Sequence, residues 1–201
     1  IVKMDLKTQP MRTKIAISKT ASAFKTLTLV TALVAVSLTS CKKDEDETPP
    51  PSTGTTIEIS GDITSNTTWS SLNKYVLKGF VYVKAPAVLT IEPGTVIKGD
   101  KATKGTLIIE RGAQILAVGT QNKPIVFTSN EAKGNRSYGD WGGIIICGKA
   151  PVNLPGGEGT VEGGTNALYG GTNAADNSGK LKFVRIEFCG IAFQPNQEST
   201  D

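Results

Sequence analysis

The chain has 201 residues, enough for one domain, and its 22 glycines with few aromatic residues point to a turn-rich β fold. It has no histidine, so any chemistry would have to run on carboxylates, Lys, Tyr or Arg. Residues 1–40 hold six of the basic side chains and one acid, so the formal charge of +4 falls to −1 over the 16 basic and 17 acidic residues that follow, which with no basic stripe excludes nucleic acid as a partner.

Lys3, Lys7, Arg12, Lys14, Lys19 and Lys25 precede Leu27–Leu38, twelve residues without a charge. As a helix that run would span about 18 Å, well short of a ~30 Å hydrocarbon core. A basic stretch before a short apolar one predicts an export signal over residues 1–40 rather than a membrane span. Met11 opens a more typical signal than Met4, so residues 1–10 read as an over-extension. Leu38-Thr39-Ser40-Cys41 resembles the lipobox of bacterial lipoproteins. The resemblance implies that the Cys41 thiol takes a diacylglycerol, that the chain is cut before it, and that the new amine is acylated, as by palmitate. Small residues at 39 and 40 let the cut bond enter a narrow protease site, and several acyl chains anchor more firmly than one.

Lys42, Lys43, Asp44, Glu45, Asp46 and Glu47 lead into a Pro/Thr-rich run, which predicts a solvated, disordered tether over 41–56. The 42–47 cluster resembles the signal that sends lipoproteins of Bacteroidetes-type bacteria to the outer cell face. No Asp directly follows Cys41, which by resemblance to enteric sorting argues against inner-membrane retention. The expected location is the cell outer membrane, lipid-anchored and facing the exterior.

From Thr55 onward the apolar segments are three to five residues long, β-branched and punctuated by Gly, Asn or Asp. Leu89-Thr-Ile-Glu-Pro-Gly-Thr-Val-Ile97 matches Leu107-Ile-Ile-Glu-Arg-Gly-Ala-Gln-Ile115 at five of nine positions, an offset of 18. A repeat of this size predicts a strand, a glycine corner and a strand stacked on its own copy. The fold class expected is all-β, a right-handed parallel β-helix over 57–194 with coils of 18–25 residues. Residues 57–80 would begin the coil and cap its open end. The glycine-rich stretch 150–180 would be a loop excursion between two rungs, and 195–201 a polar tail or truncation point.

These segments, with GDWGGIIICGKAPVN and LKFVRIEFCGIAF, resemble the N-terminal half of a family of Bacteroidetes surface lipoproteins with a pectin-lyase-like β-helix. The resemblance implies the fold and the setting but assigns no activity.

Several residues invite a chemical reading. Glu92 and Glu110 occupy matching repeat positions, where stacked carboxylates could hold Ca²⁺, although two carboxylates fall short of the six or more oxygens that ion takes. A repeated solvent-facing turn is the simpler account, and no metal site is assigned. Asp140 and Trp141 could meet a glycan, the indole as a flat face and the carboxylate as an acceptor; a turn covering the core edge is the favoured alternative. Cys147 and Cys189 each follow an apolar strand and precede Gly, so neighbouring strands could bring them within disulfide range. Arg185 and Glu187 share a strand face, as an outward salt-bridged pair would. No clustered carboxylates suggest a catalytic residue. The expectation is therefore a non-catalytic surface scaffold for binding or adhesion, of glycans for example, with the front portion of a polysaccharide lyase or hydrolase as the rival. Oligomeric state stays open.

Overall fold

The computed structural model describes residues 54–193. The export signal, Leu38, Thr39, Ser40, Cys41, the 42–47 cluster, nearly all of the 41–56 tether and the 195–201 tail lie outside the described residues.

The described strands are β1 (Thr56–Ile63), β2 (Thr67–Trp69), β3 (Lys74–Val83), β4 (Val88–Ile91), β5 (Val96–Gly99), β6 (Thr106–Ile109), β7 (Gln114–Val118), β8 (Ile125–Ser129), β9 (Gly143–Ile146), β10 (Glu158–Thr160), β11 (Leu168–Gly170), β12 (Gly179–Lys182) and β13 (Val184–Ile186). They wind as a coil with three faces. The first stacks the front halves of β1 and β3, then β5, β8 and β13. The second stacks the back halves of β1 and β3, then β6 and β9. The third stacks β2, β4, β7 and β12. Every one of these pairings is parallel, so the domain is a parallel β-helix with strands roughly 4.8 Å apart.

Alternation along each strand explains why such short segments hold together. Leu77, Val81, Val83, Leu89, Ile97, Leu107, Ile109 and Phe127 all point inward and have no exposed surface. Each such side chain contributes about 1.5–3 kcal/mol by leaving water, but only once the next coil covers it. Stability therefore resides in the stack, not in any single turn.

The repeated corner is a β-turn. Thr95 N–H donates to Glu92 O at 3.2 Å and Ala113 N–H to Glu110 O at 2.9 Å. Gly94 (φ 88°) and Gly112 (φ 82°) take the left-handed third position that a side chain resists. The two copies do not stack on each other, however. Leu89 pairs with Ile115, 26 residues on, while Leu107 pairs with Val81 and Ile144. The 18-residue similarity is one corner motif used at two successive corners of a triangular coil. The spacing between stacked partners instead grows, from 18 at Thr56–Lys74 to 37 at Thr106–Gly143, beyond the 18–25 expected. Most of the growth is at the corner between the first two faces, which widens to residues 100–105 and then 130–142.

Residues 57–80 start the coil but do not form a separate cap: β1 is itself the first rung, paired along one edge with β3. The 150–180 excursion is also differently placed. It interrupts a single rung, leaving after β9 on the second face and returning at β12 on the third. It contains a 3₁₀ turn, Pro155–Gly157, and an antiparallel hairpin of β10 and β11. The hairpin folds back over the outside of the second face, where Ile108, Cys147 and Ala167 are buried with Phe80, Tyr82, Ile145, Val161 and Tyr169. Tyr82 O–H fixes it by donating to Thr165 O at 2.6 Å. This second, smaller core is why β6, Thr-Leu-Ile-Ile, is apolar on both sides and buried throughout.

Candidate functional site

The Gly139–Gly143 motif lies in the widened corner, and its side chains face inward. Trp141 is wholly buried, its ring stacked on Phe127 with centroids 6.4 Å apart and planes 9° from parallel. Its indole N–H donates to Glu187 O at 2.7 Å. Gly99 makes the room: a Cβ there would lie 2.3 Å from that of Trp141. Asp140 is also fully buried, and its carboxylate accepts from Ser129 Oγ at 2.7 Å, Ser137 N–H at 2.9 Å and Lys101 Nζ at 2.9 Å. Burial pushes its pKa up, but the Ser129 and Ser137 hydrogen bonds and the Lys101 ammonium outweigh this and hold it at about 2. The glycan contact considered for Asp140 and Trp141 is thus corrected in favour of the turn that covers the core edge. Both residues are spent on closing the corner.

Glu92 and Glu110 sit at different corners and do not form a pair. Each ties its own corner to the rung before it: Glu92 Oε2 accepts from Ser71 N–H at 3.0 Å, and Glu110 Oε1 from Lys84 Nζ at 2.6 Å. Among the described residues no three His, Cys, Asp or Glu side chains gather where they could hold a metal ion.

Cys147 and Cys189 are both free thiols. Cys189 lies over Trp141, before β9, whereas Cys147 lies past the end of β9 with its N–H donating to Ile109 O, so the two cysteines are not stacked and the disulfide is corrected. Burial pushes the Cys147 thiol up in pKa, and Glu110 adds to it, which leaves a poor nucleophile. Arg185 and Glu187 do pair on one face, Nε to Oε1 at 2.7 Å.

A cleft of about 370 Å³ opens between the second corner and the excursion, lined by Arg111, Lys149, Glu158 and Asn173. Arg111 Nη1 is engaged there, donating to Glu158 Oε1 at 2.5 Å and to Gly170 O at 2.9 Å. The contact anchors the hairpin.

The feature that sequence reading missed lies on the outer surface of the first face. Lys98 alternates with the inward Ile97 and Gly99, so it points out, stacked between Val76 and Thr128. It is half-buried, and among the described residues no carboxylate lies within 4.0 Å of it, of Lys74 or of Arg136. Burial lowers its pKa, and Arg136 and then Lys74 lower it further. Three cations of one sign, one of them partly desolvated, form a positive patch in which none makes an ion pair with a carboxylate among the described residues. Such a patch can hold an anion. In sequence, Lys74, Lys98 and Arg136 are an unremarkable scatter; the stacking register brings Lys74 and Lys98 to one face, and the widened 130–142 corner brings Arg136 near them.

Residues 61–200 match the family model described as a pectate-lyase-like beta helix domain. No curated protein and no solved structure matches the chain.

Proposed function

The chain belongs to the family of pectate-lyase-like beta helix domains, and we propose from that premise that it is a non-catalytic scaffold that binds acidic glycans on the first face of its coil, which we take to be right-handed. In the same proposal it is exported and held at the outer membrane, facing outward, by a lipid on Cys41.

The uncompensated patch at Lys74, Lys98 and Arg136 carries the ligand reading. A lysine whose pKa is lowered by burial and by like charges has a charge that opposes folding. A bound carboxylate or sulfate would supply the missing counter-charge. The expected consequence is a trade-off between stability and binding. Lys98→Met, which keeps the stem and drops the ammonium, is expected to raise the melting temperature. Lys98→Met with Arg136→Ala is expected to weaken retention on heparin and polygalacturonate columns about tenfold or more, with wild-type retention falling as salt rises. Equal retention of the double variant would sink the reading. Release of unsaturated or reducing ends from either polymer would replace it with the enzyme.

The anchor rests on Leu38, Thr39, Ser40 and Cys41, with export to the surface on Lys42 to Glu47. Cys41→Ala is expected to move the protein from the membrane to the soluble fraction and to abolish incorporation of labelled palmitate. Membrane retention and acylation that persist in this variant would rule out Cys41 as the attachment point.

A further inference from the structure

The two Glu-x-Gly corners differ in what lies over them. Carried on from the register of β6 with β9, Lys149 falls one rung above Gly112. A Cβ on Gly112 would stand 2.6 Å from Lys149 Nζ, so the ammonium itself rests on this corner, next to Arg111. Over Gly94, at the other corner, Lys123 lays its stem: the nearest atoms are its Cβ, Cγ and Cδ. The excursion then walls the Gly112 corner with Glu158 and residues 170–173, which completes the cleft of about 370 Å³.

These walls are fixed by the chain's own hydrogen bonds. Lys149 N–H donates to Asp176 Oδ2 at 2.8 Å, and Lys149 O accepts from Asn173 N–H at 3.0 Å. Glu158 on β10 pairs with Gly170 on β11, and Gly170 N–H donates to Gly148 O at 2.9 Å. The donors of the cleft are only partly used. Arg111 spends Nη1 on Glu158 and Gly170 O, which leaves Nε and Nη2 without a partner among the described residues. Those two groups form one edge of the planar fork that takes a carboxylate through two parallel hydrogen bonds. Among the described residues no carboxylate lies within 4.0 Å of Lys149 Nζ. Asn173 Oδ1 accepts from Ala175 N–H at 3.1 Å, which leaves its NH₂ to donate.

We propose that this cleft binds a small hydroxylated carboxylate, one sugar acid in size. Arg111 and Lys149 hold the carboxylate, while Glu158, Thr172 and Asn173 are the hydrogen-bond partners of the hydroxyls. Charge sets the class: two cations against one carboxylate leave a single positive charge in excess, which a monoanion balances. Size sets the length, because the cleft is at the small end of the range of about 300–1,000 Å³ for ligand sites and takes one ring rather than a chain. The fixed walls lower the ordering cost of binding. This site shares no residue with the first-face patch and does not rest on it.

Titration of galacturonate into the full chain, followed by amide chemical shifts, tests the site. Saturable shifts are expected at Lys149 and at residues 170–173, with galactose, which lacks the carboxylate, giving none there. Lys149→Met, at an exposed position, is expected to melt as the wild type does and to bind galacturonate about tenfold more weakly. Lys149→Arg keeps the charge and should bind within about threefold of the wild type. Lys98→Met with Arg136→Ala, which tests the first face, is expected to leave these shifts unchanged. The site is overturned by an absence of shifts at Lys149 and 170–173 up to the solubility of the sugar. Equal shifts with galactose, shifts confined to the surroundings of Lys98, or full affinity in Lys149→Met would overturn it as well.

Discussion

Replacing Asp140 by alanine is expected to cost about 2–4 kcal/mol of folding stability, read as a drop in the urea midpoint at unchanged slope. Three donors converge on this carboxylate, and they do not lose equally when it goes. Lys101, half exposed, returns to water, while Ser129, fully buried, still accepts from Glu131 N–H but is left with no acceptor for its own O–H. Asp140→Asn keeps an acceptor but loses the ion pair, so it should fall between wild type and alanine. The pH dependence follows from the direction of the shift. A carboxyl held at about 2 when folded and 3.8 when not contributes stability that is fully present above the unfolded value. That contribution drains away as pH falls from about 4 to about 2. The gap between wild type and Asp140→Asn, measured by thermal melting, should therefore be constant from pH 7 to 5 and narrow below pH 4. A gap that widens on acidification would mean that the carboxyl is not held ionised by its partners.

What could be read from the sequence divides along the line between local and non-local physics. The Glu-x-Gly corner at 92–94 and 110–112 was legible because a β-turn with a left-handed glycine is closed by one hydrogen bond between neighbours. The register was not. Leu89 meets Ile115 rather than Leu107 because the length of every intervening corner decides which strands lie over one another, and corner lengths leave no periodic mark. The excursion was visible as a run of Gly, Asn and Thr, but its packing was not; the clue was Thr106-Leu-Ile-Ile109, whose unbroken apolar run asks for cover on both sides. The Lys98 patch was hidden for the same reason as the register. Lys74, Lys98 and Arg136 are separated by 24 and 38 positions, and each alone is an ordinary solvated cation. For Trp141 the two roles, platform and plug, share one sequence signature, since glycines serve a tight bend and an exposed ring alike. Only Gly99, far away in sequence, separates them, because it vacates the space into which the indole is driven.

Trp141 is accordingly where truncation should be most costly. Trp141→Ala is expected to destabilise by about 3–5 kcal/mol, the range for a buried large aromatic that leaves a cavity. Phe127 loses its stacking partner and Glu187 O its donor in the same step. Trp141→Phe restores a ring but not the N–H, so it should cost less, about 1 kcal/mol for the unmet carbonyl plus whatever void remains. The complementary change is Gly99→Ala. Its backbone is not in the left-handed region, so the penalty is steric alone: the new methyl would stand 2.3, 2.5 and 2.7 Å from Cβ, Cγ and Cδ2 of Trp141. Overpacking of this kind costs about 1–3 kcal/mol. Two of those three collisions vanish when residue 141 is alanine, while the one with its Cβ persists. The double variant should therefore be more stable than the sum of the two singles predicts, by an amount a double-mutant cycle in urea can resolve. Strict additivity would show that Gly99 and Trp141 are not in contact. The packing of the widened corner, and with it the burial of Asp140, would then have to be rebuilt from a different pairing of the first and second faces.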